Sequence, residues 1–64
     1  MQYIGVFNGR MVQATYELIT EVIVITGVKV LTAGNWEEQT GEALKSLSQW
    51  MIEEYGDDML APAR

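Results

Sequence analysis

The stretch Glu21 to Thr32, Glu-Val-Ile-Val-Ile-Thr-Gly-Val-Lys-Val-Leu-Thr, constrains this chain more than any other. Read as a strand, it is apolar on both faces, with Val22 and Val24 pointing one way and Ile23 and Ile25 the other. Strands of that kind are normally covered on both sides. The chain has 64 residues and one convincing helix to do the covering. The second face must be wrapped by the rest of the chain or buried by another molecule. Val22, Ile23, Val24 and Ile25 are therefore the candidate self-association residues.

Size sharpens that expectation. A single domain this small buries only about 60% of the surface of its unfolded chain, and usually needs a disulfide, a metal or oligomerisation. There is no cysteine, hence no disulfide and no thiolate metal site, and no histidine. No metal site, cofactor or catalytic residue is expected. Self-association is the remaining source of stability, and a homo-oligomer, in the simplest case a homodimer, is expected.

The hairpin signals come first along the chain. Gln2 to Phe7 is rich in strand formers and runs into Asn8-Gly9. A two-residue type I′ turn needs positive φ at both central positions, which Asn and Gly tolerate best. Beyond it Val12, Ala14, Tyr16 and Leu18 alternate with Gln13, Thr15 and Glu17. In that register Tyr3, Phe7, Val12, Ala14, Tyr16 and Leu18 share an apolar face, and Gly5 leaves room for a bulky neighbour or marks a bulge. Residues 11–21 also fit a helix, with Met11, Ala14, Leu18 and Val22 opposite Gln13, Glu17 and Glu21. The β-branched content and the Asn-Gly turn favour strand. No Gly, Pro, Asn or Asp marks a turn between Leu18 and Val22, so strand two is expected to bend or bulge into strand three. Thr26-Gly27 fits a second tight turn or a bulge in one long strand, which leaves three strands or four.

Ala33-Gly34 breaks the strand. Asn35 followed three residues later by Glu38 reads as a capped helix start, with Glu37 and Glu38 suited to the positive end of the helix dipole. The helix is expected over about 36–55, or from Thr40 because Gly41 weakens the first turns. Gly56 then ends it and a loose acidic tail covers 56–64. The fold class is α+β in one domain, 1–64. An antiparallel sheet of three or four strands, about 2–32, packs on one C-terminal amphipathic helix.

The charge is −5, and the four basic residues Arg10, Lys29, Lys45 and Arg64 are scattered. That argues against direct nucleic-acid binding and against an anionic membrane surface, and is compatible with a basic protein partner. The N-terminus lacks a basic region followed by an apolar one, and the longest apolar window falls short of a span. A cytoplasmic protein is expected. The candidate partner-binding residues are Trp36 at the helix entrance, an acidic stripe of Glu38, Glu42 and Glu53, and the cluster Glu53, Glu54, Asp57 and Asp58. Each has an ordinary alternative: a core-packing tryptophan, a solvated helix face, a solvated helix end. No phosphate loop and no nucleophile–base pair can be assembled from the residue pattern, so an enzyme is not expected.

In size and acidity the chain resembles the small inhibitors and takeover proteins encoded by bacteriophages. That resemblance is one of style and no motif carries it; the expected function is a non-catalytic protein that binds and modulates another protein, in that style by inhibiting it, through the acidic helix face, a sheet edge or both. The alternatives are a structural homo-oligomeric assembly subunit, and a DNA-mimic inhibitor of a nucleic-acid enzyme that uses Glu42 and Glu53.

Overall fold

A computed structural model describes residues 1–63. Four strands, β1 (Gln2–Phe7), β2 (Arg10–Ile19), β3 (Val22–Thr32) and β4 (Asn35–Glu38), form one antiparallel sheet in the order of the chain. The helix α1 (Gly41–Leu60) crosses one face and ends in a short 3-10 turn, Ala61–Ala63. The α+β class read from the sequence is the class observed.

All three connections between strands are two-residue turns with two consecutive positive φ angles. Asn8 and Gly9 have φ of 51° and 76°, Thr20 and Glu21 52° and 62°, and Ala33 and Gly34 50° and 82°. This is the type I′ signature, whose twist matches that of the flanking strands. The first turn is the one expected from Asn-Gly. The second corrects the expectation of a bend between strands two and three. Thr20 and Glu21 adopt the left-handed conformation despite their side chains, because Ile19 pairs with Val22 and Leu18 with Ile23 on either side of the turn.

The third turn corrects a larger error. Residues 35–38 are strand, not the first turn of the helix, and the sheet reaches Glu38 rather than Thr32. Thr32 pairs with Asn35, Leu31 with Trp36, Val30 with Glu37 and Lys29 with Glu38. Once Ala33-Gly34 makes a tight turn, the chain returns alongside β3, and the Asn35–Glu38 capping pattern is left unused. The helix starts after Thr40, where Gly41 at φ 61° redirects the chain. It continues through Gly56 to Leu60, so Gly56 is not its stop and 57–60 is not a loose tail. Tertiary bonds hold that last turn. The Tyr16 hydroxyl donates to the Met59 carbonyl at 3.0 Å, and the Tyr3 hydroxyl to the Asp58 carboxylate at 3.0 Å. The first satisfies a terminal carbonyl that a helix cannot satisfy internally, and the second ties a side chain of the last turn to β1.

A bulge decides which side chains face the helix. Thr15 pairs with Gly27 and Tyr16 with Ile25, so Thr26 is the extra residue, and its hydroxyl donates to the Thr15 carbonyl at 3.2 Å. The inserted residue switches the alternation of β3. Ile23 and Ile25 point to the helix before it, and Val28 and Val30 after it. Lys29 is thereby sent to the opposite face. Val12, Ala14, Tyr16, Val28, Met51 and Met59 are buried, with Tyr3, Leu18, Ile23, Ile25, Val30, Leu44, Leu47, Trp50 and Tyr55 packed around them. Side chains of the Val and Met class contribute about 1.5–3 kcal/mol each when fully buried. This layer between sheet and helix is the core.

Candidate functional site: the uncovered face and edges of the sheet

Alternation along each strand places Ile4 and Val6 of β1, Met11 and Ile19 of β2, Val22 and Val24 of β3, and Trp36 of β4 on the face away from the helix. They are seven of the ten exposed large hydrophobic residues, with exposures from 38% at Val24 to 59% at Val22. They form two groups. At one end, the register aligns Val6 with Met11 and Leu31 with Trp36. Met11 and Leu31 lie one step beyond the Val12–Val30 pair. The result is an apolar row that crosses all four strands. The next row, Ile4, Gln13, Lys29 and Glu38, sets opposite charges across β3 and β4. At the far end Ile19 faces Val22, and Glu17 faces Val24.

The structure divides the expected self-association residues. Ile23 and Ile25 pack against the core and are unavailable, whereas Val22 and Val24 belong to the outer face. Sequence reasoning missed Ile4, Val6, Met11, Ile19 and Leu31. The signal was present in β1, where Ile4 and Val6 alternate with Tyr3 and Phe7 and make this strand apolar on both faces too.

The expected partner-binding residues do not form one surface. Trp36 stands on β4, not at the helix entrance, and is 40% exposed. Glu38 lies on the outer sheet face opposite Lys29, across the molecule from the helix. The stripe of Glu38, Glu42 and Glu53 is therefore broken. Glu42 and Glu53 do share the exposed side of α1, about 16 Å apart at 1.5 Å rise per residue, with Lys45 between them. Glu53, Glu54, Asp57 and Asp58 are exposed near the helix end. Asp58 accepts the Tyr3 hydroxyl, so one member of the cluster is structural. Partial burial and this carboxylate partner raise the Tyr3 pKa above its ordinary 10.0. Among the described residues no three acidic side chains are placed to hold a metal ion.

The two edges of the sheet differ. Met1 and Tyr16 exchange two backbone bonds, at 2.9 and 2.8 Å, which sets the odd residues of β1 against β2 and turns the amides of Gln2, Ile4 and Val6 outward. Tyr55 of the helix closes part of that edge. Its hydroxyl accepts from the Val6 amide at 3.2 Å and donates to the Val6 carbonyl at 3.5 Å, and its ring lies against Gly5. On the other side, Gln39 donates its amide to Val28 at 2.8 Å, so the odd residues of β4 face β3 and the amides of Trp36 and Glu38 point outward. Among the described residues no side chain bonds to those two groups.

An open groove of about 630 Å³ lies between the helix start and the end of the sheet. Its floor includes Phe7, Val30 and Leu47, and its rim Arg10, Glu37 and Ser46. Phe7 is held there by an edge-on contact with Trp50 at 4.8 Å between ring centres. This set of groups can hydrogen-bond and pair charges.

No helix among the described residues is long and apolar enough to cross a membrane. No family model, no curated protein and no solved structure matches this chain.

Proposed function

We propose that this is a non-catalytic interaction protein that binds another protein through the outer face of its sheet and modulates it. One observation carries the reading. Seven of ten exposed large hydrophobics project from that single face, while the helix covers the other. Apolar side chains scattered singly over a surface need no explanation, whereas a row such as Val6, Met11, Leu31 and Trp36, contiguous across all four strands, marks a contact. Trp36 and Met11, residue types enriched at interfaces, sit in the row that crosses the sheet. The Lys29–Glu38 pair beside that row supplies polar groups for orientation. In this reading the acidic side of α1 maintains solubility and steers basic partners. An inhibitory effect on the partner and a cytoplasmic setting belong to the same proposal.

Affinity capture from a lysate with matched variants tests it. A partner retained by the natural chain should be lost with Met11→Glu and with Val24→Glu. It should be kept by Glu42→Gln/Glu53→Gln. Loss in the helix variant alone would overturn the assignment and favour the acidic face, as a nucleic-acid mimic requires. A structural assembly subunit is the second reading. It is favoured by the open β4 edge, which a copy of the chain can extend.

A further inference from the structure

The two edges of a sheet are equivalent hazards unless something blocks them. Here one is closed at Val6, with Gln2 and Ile4 still facing outward, and the other carries no such closure among the described residues. Tyr55 occupies the backbone of Val6 on the β1 edge, while β4 presents the outward amides and carbonyls of Trp36 and Glu38. From this asymmetry we propose that two copies of the protein pair antiparallel along β4, with Trp36 opposite the partner's Trp36, to make one eight-stranded sheet. The inference deepens the interaction role, on which it rests, because pairing doubles the outer face.

The register follows from symmetry and charge. A two-fold axis normal to the sheet must place residues of the same face opposite one another. Centring on Glu37 opposes it to its own copy, and centring on Glu38 does the same for that carboxylate. Like charges directly opposed across strands are destabilising. Centring on Asn35 moves Trp36 opposite Gly34 and pushes the pairing into the turn. Centring on Trp36 opposes no acidic pair: Glu37 meets Asn35 and Glu38 meets Gly34. It also makes Trp36 a hydrogen-bonded pair, as its outward amide and carbonyl require.

The outer face supplies an independent reason. The row Val6, Met11, Leu31 and Trp36 reaches the β4 edge at the tryptophan. In the Trp36-centred register it continues into the same row of the second copy, so the two indoles shield each other at the middle of one apolar band. Few backbone bonds join the copies, so the dimer is concentration-dependent.

Light scattering over a wide concentration series should show the mass rising from 7.2 kDa toward twice that value. Trp36→Lys should remain monomeric. Val24→Lys, on the outer face but five residues along β3 from its first pair with β4, should still dimerise. The chain has no cysteine, which permits a register-specific test. Asn35→Cys protein mixed with Glu37→Cys protein should form a disulfide-linked mixed dimer under mild oxidation, with little cross-linking of either variant alone. This assay does not depend on Trp36→Lys folding. A natural chain that is monomeric at every concentration overturns the proposal and leaves the partner-capture test of the outer face intact. A dimer that Val24→Lys abolishes, or one without the mixed cross-link, also overturns it by locating the contact elsewhere.

Discussion

Gly5→Ala should be among the most damaging small substitutions in the chain, although it adds one methyl group. Gly5 is buried, and a Cβ built there meets the Tyr55 ring, with Cζ at 2.9 Å and Cδ2 at 3.0 Å. The ring cannot withdraw freely. It packs against Tyr3 with 5.2 Å between centres, and against Trp50 at 5.6 Å, and its hydroxyl holds Val6. Overpacking of this kind costs about 1–3 kcal/mol. Losing the Val6 bond adds about 1 kcal/mol. Replacing Gly in a strand returns roughly 0.5–1 kcal/mol. The net loss is about 2 kcal/mol, which for a domain this size lowers Tm by roughly 8–16 °C. Urea unfolding should measure it, in the natural chain and in a Tyr55→Leu background where the ring is gone. There Gly5→Ala should be neutral or slightly stabilising. A cost below about 0.5 kcal/mol in the natural chain would refute the reasoning. So would an equal cost in both backgrounds, since the two residues would then be uncoupled.

Further outcomes follow from the same structure. Thr20→Asn/Glu21→Gly should stabilise the fold by about 1–2 kcal/mol, since each non-glycine residue in the left-handed region costs about that much and glycine returns part of it to the unfolded chain; thermal unfolding checks it. Met51→Ala should cost about 2–5 kcal/mol as a cavity in the core, whereas Met11→Ala on the outer face should stay within about 0.5 kcal/mol; paired urea titrations compare them. The raised Tyr3 pKa means the folded state keeps its phenol proton after the unfolded chain begins to lose it near 10.0. Stability should then be constant below that pH and fall as pH rises toward the folded value. Tyr3→Phe should flatten this alkaline loss, as read by unfolding midpoints across the range.

What could be read in the sequence was what local chemistry decides. Asn8-Gly9 announced its turn, the alternation from Val12 to Leu18 announced the inner face, and the apolar spacing from Leu44 to Tyr55 announced the helix. The Thr20-Glu21 turn was illegible because neither residue favours positive φ; strand pairing on both sides imposes it. Asn35 to Glu38 misled because a capping pattern and a short edge strand use the same residues, and pairing with β3 decides between them. The outer face was half legible. Alternation separated Val22 and Val24 from Ile23 and Ile25, but which pair meets the helix depends on the register with β2. That the core continues through Val28 and Val30 depends on the Thr26 bulge, one of the two alternatives Thr26-Gly27 offered, and only pairing with β2 decides between them. The acidic stripe failed at Glu38 for the same reason as the helix start: a residue expected on the helix belongs to the sheet.

Every strand pairs only with its neighbour in the chain, through a turn of two residues, and the helix comes after all four. The order of synthesis is therefore also an order of exposure. Hairpins can close one after another as the chain emerges, within microseconds and over short loops. The sheet so formed has both faces bare until α1 has cleared the ribosome. Val12, Tyr16 and Val28 wait for Met51 and Met59 over that interval. A newly made chain thus passes through a stage in which it is stickier than its finished form. During that stage the β1 edge, later closed at Val6 by Tyr55, is as open as β4 along its whole length. Slowing translation across the helix would lengthen this window, and the yield of soluble protein should fall with it.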